Sequence, residues 1–112
     1  MKQVIAYVRR RKRDAVVERL RDIEVPGASL AEIDGFGREA DESGEPSYGP
    51  EIAPYAQMLK IESVCSDERA REIADAIAEA ARTGRRGDGK VFILPVEAAI
   101  DVRTHRTGAD VI

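Results

Sequence analysis

Two short runs in this chain of 112 residues are apolar at consecutive rather than alternate positions: Val4-Ile5-Ala6-Tyr7-Val8 near the start and Val91-Phe92-Ile93-Leu94-Pro95-Val96 near the end. Short runs of this kind, β-branched and aromatic, read as strands that need cover on both faces. Between them the period changes. Val16, Val17, Leu20 and Ile23 form one helical stripe that Pro26-Gly27 closes, and Ala28 to Asp34 follows as a weaker strand. Leu59, Ile61 and Cys65 alternate with Lys60 and Glu62 as a strand with one polar face. Ala70, Ile73, Ala74, Ile77, Ala78 and Ala81 then repeat at i, i+3, i+4, i+7, i+8 and i+11, the clearest helix in the chain. Ser66 offers it a capping oxygen, Asp67 and Glu68 suit its positive end, Arg82 suits the other, and Gly84 can take the left-handed C-cap conformation. Lys90 to Val96 is a fourth strand, and a fifth short one is expected around Val102 in the tail 97–112.

Strand, helix, strand, loop, strand, helix, strand is the order of an α+β, ferredoxin-like split βαβ sandwich with its helices on one sheet face. Its size fits one domain, 1–112. The second face of the doubly apolar strands would be left in water as a patch on the order of several hundred Å², so it is expected to pack against other subunits. The joining loop holds Gly35, Gly37, Gly44, Pro46, Gly49, Pro50 and Pro54, with Asp41, Glu42, Glu45 and Glu51 making it acidic. Loops of about 20 residues are uncommon inside compact domains and are usually functional or disordered, so a solvated insertion and a functional loop are both open readings here.

Composition removes several classes. Eighteen Lys plus Arg against 21 Asp plus Glu give a formal charge of −3, and the chain has three Tyr, two Phe and no Trp, which argues against a general nucleic-acid binder. No run approaches the roughly 20 apolar residues of a membrane span. Met1 leads directly into a strand, so no leader is expected. Cys65 is the single cysteine and cannot form an internal disulfide, and the expected compartment is the cytoplasm.

Gly84-Arg85-Arg86-Gly87-Asp88-Gly89-Lys90 matches the start of a phosphate-binding P-loop, but Val91 follows the lysine and the segment runs from helix to strand, the reverse of the order a P-loop needs. Two looser readings stay open: a tight connection, or a nest of backbone N–H groups that binds an anion with help from Lys90, Arg85 and Arg86. Gly35-Phe36-Gly37-Arg38 repeats the pairing of glycine with a basic residue, and Arg103 and Arg106 add further guanidinium groups suited to phosphate. The run Arg9 to Arg13 reads as a solvated turn, since no aromatic residue interleaves with it. His105 and Cys65 are too isolated to argue for zinc.

Gly35-Phe36-Gly37-Arg38, Lys60-Ile61-Glu62, Thr83-Gly84-x-x-Gly87-Asp88-Gly89-Lys90-Val91-Phe92 and Val102-Arg103-Thr104 carry a resemblance along the whole chain to the nitrogen-regulatory PII signalling family. The resemblance implies a homotrimer of ferredoxin-like subunits, adenine nucleotide (ATP, ADP or AMP) bound between subunits, and a long T-loop, here 36–55, that docks on a target transporter or enzyme. It implies nucleotide contacts at Gly35, Gly37, Arg38, Val64, Thr83, Gly87, Asp88, Gly89, Lys90 and Arg103, with Ser29 a near match to a family threonine. Three positions depart. Glu39 stands for a glutamine that helps hold Mg²⁺ and 2-oxoglutarate, Met58 for a lysine that pairs with 2-oxoglutarate, and Asp101 for a phosphate-binding arginine. Glu51 also stands where many members carry the modified tyrosine, and the surroundings of Tyr48 do not match. These departures are similar to those of divergent branches associated with carbon uptake or metal efflux.

The expected function is a regulator without turnover that senses adenylates, holds no covalent cofactor, and reaches a membrane only through a partner. Whether Mg²⁺ takes part is left open. The alternative is a metal-responsive or metal-binding trimer, motivated by Glu39, Glu62, Asp101 and the acidic loop. An enzyme is not expected, because no activated nucleophile or acid–base pair stands out.

Overall fold

The structure is a computed structural model that describes residues 1–37, 47–48 and 55–112, at residues 47, 48 and 55 by backbone alone. Strands are β1 (Lys2–Arg9), β2 (Ser29–Gly35), β3 (Ser47–Tyr48), β4 (Tyr55–Cys65) and β5 (Gly89–Pro95); helices are α1 (Arg13–Asp22) and α2 (Ala70–Ala81). The sheet order is β2-β4-β1-β5 with β3 beside β4, and every pairing is antiparallel. This is the expected ferredoxin-like arrangement.

Strand alternation decides the core. Val4, Ala6 and Val8 of β1 and Leu59, Ile61 and Cys65 of β4 point to one side, where Val16 and Leu20 of α1 and Ala70, Ile73, Ala74, Ile77 and Ala81 of α2 cover them. The alanines matter here, because a small side chain lets the helix axis approach the sheet. On the other side lie Ile5, Tyr7, Met58, Lys60, Glu62 and Phe92, with no helix of the described residues over them, and the Tyr7 and Phe92 rings meet edge to face at 6.3 Å. Phe92 is 48% exposed and Leu94 39%. The uncovered apolar face inferred from the doubly apolar strands is therefore present, interrupted by one ion pair in which Lys60 Nζ lies 2.7 Å from Glu62 Oε1. That bond and the adjacent carboxylate charge raise the Lys60 pKa.

Several local expectations change. No strand forms around Val102, which is fully exposed. Instead a single bridge, Ile100 to Thr107, closes a turn in which Asp101 accepts the Thr104 N–H at 2.9 Å and the Asp101 carbonyl accepts the His105 N–H at 2.8 Å. β4 starts four residues before Leu59, since Met58 and Ala56 pair with Ile33 and Gly35 of β2. The segment 36–55 also contains β3, paired with Tyr55 and Ala56, although its glycines and prolines gave no strand pattern; residues 38–46 and 49–54, including Arg38, Glu39 and Glu51, lie outside the described residues. The Ser66 side chain does not cap α2. The Ser66 carbonyl accepts the Arg69 N–H, and a 3-10 turn at Asp67–Arg69 leads into the helix. Gly84 has a φ of +88°, but the C-cap of α2 is Arg82, in extended conformation.

A glycine-walled cleft at the end of the sheet

At the end of the sheet where β2 and β1 finish and β4 and β5 begin, a cleft of about 630 Å³ opens on the uncovered face. Gly35, Phe36 and Gly37 form one wall as the chain leaves β2. Gly87, Gly89 and Lys90 form the other where it enters β5, and Tyr7, Ile33, Met58 and Phe92 supply an apolar floor. In a chain with an excess of acids, no Asp or Glu is among the described residues that line this cleft. Glycine at 89 is obligatory. Its φ is +109°, and a Cβ there would lie 1.7 Å from the Tyr7 carbonyl oxygen.

The wall between α2 and β5 is held by Asp88. Its carboxylate accepts the backbone N–H of Thr83 at 2.8 Å and of Gly84 at 2.9 Å, and it also accepts the Thr83 hydroxyl. Arg9 Nε donates to it at 3.0 Å, while Arg9 Nη2 donates to the Arg86 carbonyl at 2.8 Å. Burial pushes the Asp88 pKa upward, but the bonds from Thr83, Gly84 and Arg9 outweigh it and hold the carboxyl well below the usual carboxylate range. The anion-nest reading therefore changes. The converging N–H groups of Thr83 and Gly84 are filled by the loop's own aspartate, and the N–H of Arg85 goes to Thr83 Oγ1 at 3.1 Å. The part of this loop that faces the cleft is Gly87, Gly89 and Lys90.

The remaining site residues separate in space. Ser29 and Val64 line a different cleft, of about 390 Å³, with Gln3, Ser63 and Val111. Six residue steps along β2 set Ser29 roughly 20 Å from Gly35. Arg103 sits on the exposed tail turn, outside the residues lining the glycine cleft. Asp101 is engaged within that turn, and the Thr104 N–H and hydroxyl lower its pKa. Cys65 is buried and free, and burial pushes its thiol pKa up. Among the described residues no three His, Cys, Asp or Glu gather as metal ligands, so the metal-responsive alternative gains no support. No helix among them is long and apolar enough to cross a membrane.

Sequence reasoning missed Arg9 and Arg10. They read as part of a solvated basic turn, yet Arg9 is 1% exposed. Arg10 Nη2 donates to the Ile33 carbonyl of β2 at 2.9 Å. The one available clue was Asp88, an acid set between two glycines that needs a cation nearby.

Fold and cleft together define a ferredoxin-like sandwich with a glycine-walled recess at one end of an uncovered sheet. A family model described as "Nitrogen regulatory protein P-II" matches residues 1–106. "Nitrogen regulatory protein GlnK2" of Haloferax mediterranei is 38% identical over 112 residues, covering all of this chain and 91% of that protein. "Nitrogen regulatory protein P-II" of Rhizobium meliloti is 37% identical, and that of Cereibacter sphaeroides 38%, both over the full length of each chain. The chain belongs to the P-II nitrogen regulatory protein family.

Proposed function

We propose that this P-II family chain, as one unit of residues 1–112, is a cytoplasmic regulator without turnover that binds an adenine nucleotide between the subunits of a homotrimer. The observation that carries the reading is the acid-free, glycine-walled cleft with Lys90 at its edge and an apolar floor, a combination suited to a flat base carrying an anion. Gly35, Gly37, Gly87, Gly89 and Lys90 take the ligand from one chain, with Arg38 and Arg103 adding charge. Thr83 and Asp88 shape the wall. Ser29 and Val64 lie too far away in the same chain, so a neighbouring subunit has to pool them with the glycine cleft. The uncovered apolar face supplies the contact that holds neighbours together. The segment 36–55, which springs from the Gly35–Gly37 wall, is the element placed to carry ligand state to a transporter or an enzyme.

Titration calorimetry with ATP, ADP and AMP tests the reading. At least one binds with micromolar affinity, and absence of heat from all three at millimolar concentration removes it. 2-Oxoglutarate does not join them, because Met58 offers the cleft no charge. Binding of 2-oxoglutarate with Mg²⁺–ATP by the wild type would overturn that part.

A further inference from the structure

Lys60 and Glu62 stand two steps apart on β4, an interior strand, so their ion pair lies within the uncovered face and not at its rim. Register sets Lys60 opposite Tyr7 of β1 and Ala31 of β2, and Glu62 opposite Ile5, with Phe92 next to Ile5 on β5. The two side chains are 34% and 36% exposed, so in a single chain water screens the pair and it adds little to stability. Its effect changes when another molecule covers the face. Both charges then lose their water, and the loss is offset only where each keeps its counter-charge close. A copy that arrives slid or rotated, with an apolar side chain wedged between ammonium and carboxylate, leaves both charges dry and unpaired. A face without the pair would accept such alignments almost as readily as the correct one, because apolar contact is not directional. The pair is also neutral as a unit, so this part of the face offers a strongly charged partner nothing, whereas a second copy brings matching apolar residues and the same neutral pair.

We propose that the Lys60–Glu62 pair selects the alignment in which copies of this chain meet across the uncovered face, and so fixes how many chains close the assembly. The proposal rests on that face being the contact of the homotrimer, and the wild-type measurement tests that reading separately. Glu62→Gln, Lys60→Met and the paired variant Lys60→Met with Glu62→Leu are made in the whole chain and compared with wild type by sedimentation velocity and native mass spectrometry, with circular dichroism to show that each is folded. Wild type gives one three-chain species. Each single variant leaves one charge uncompensated on the covered face and needs at least about a hundredfold more protein to assemble. The paired variant assembles at wild-type concentrations or lower, but spreads over several chain numbers.

Single variants that assemble at wild-type concentrations, or a paired variant that forms the three-chain species alone, overturn the proposal. If a single variant fails to fold, the paired variant, which buries no lone charge, decides it. A wild type that sediments as single chains removes the homotrimer reading and this inference with it. Three-chain wild type with unchanged variants removes this inference alone.

Discussion

Replacing Gly89 by alanine is the sharpest single perturbation of the cleft wall. An L side chain at φ +109° is strained by roughly 1–3 kcal/mol before any contact is considered. The added Cβ would lie 1.7 Å from the Tyr7 carbonyl oxygen and 2.8 Å from its carbonyl carbon. Both are backbone atoms of the central strand β1 and cannot swing aside, so β5 has to lift at the Val8–Gly89 pair, which forfeits about a further 1 kcal/mol of ladder bonding. The sum is about 2–4 kcal/mol, a large share of the roughly 5–15 kcal/mol typical of a domain. Gly37→Ala and Gly35→Ala are the controls. Among the described residues a Cβ at 37 meets nothing within 4 Å, and one at 35 meets only Met58 Cγ at 3.5 Å, so each stays within about 0.5 kcal/mol of wild type. Urea unfolding at one fixed protein concentration, followed by circular dichroism, should show the Gly89→Ala midpoint about 2 M lower. A Gly89→Ala protein within about 1 kcal/mol of wild type, or a Gly37→Ala protein equally damaged, would refute the steric reasoning.

Asp88 has a depressed folded pKa, so the stability its charge provides is fully present above about pH 4, near the unfolded value, and is lost as pH falls below it. The stability gap between wild type and Asp88→Asn should hold from pH 7 to 5 and begin to narrow as pH falls from 4 to 3 in urea titrations; a gap constant to pH 3 contradicts the bonding described. Glu24, just past α1, has φ +54°, while Arg69 donates to its carbonyl at 2.9 Å, a bond that any residue there keeps. Glu24→Gly should therefore raise stability by about 0.5–1 kcal/mol, visible as a few degrees in melting temperature. Phe92→Glu puts a charge on the uncovered face, and sedimentation should show three-chain assemblies for wild type and single chains for the variant; equal sedimentation of both would count against that face as the contact.

The sequence disclosed what local chemistry controls. The spacing of Ala70, Ile73, Ala74, Ile77 and Ala81 placed α2, and the doubly apolar runs placed β1 and β5 together with an uncovered face. The P-loop match failed on element order, and the structure has that order, α2 then loop then β5. What stayed hidden depends on partners distant in sequence. Ala56 to Met58 became strand because Ile33 to Gly35 lie beside them, and Tyr55 because it pairs with Tyr48 of β3. Arg9 looked solvated because its partners, Arg86 and Asp88, lie more than seventy positions away. The two glycine segments were marked as site residues through family resemblance, and only folding shows that they face one another while Ser29 and Val64 do not join them.

The Asp88 carboxylate acts as an internal counter-anion, and this has a thermodynamic consequence. A loop that took its shape from a ligand would charge each binding event with the entropy of ordering its residues, on the order of 1–2 kcal/mol apiece. Here the residues from Thr83 to Asp88 are tied down when the chain folds, by bonds that exist before any ligand arrives. An anion that enters the cleft meets a finished surface. For the proposed nucleotide this predicts association without an ordering step at the Thr83–Asp88 wall.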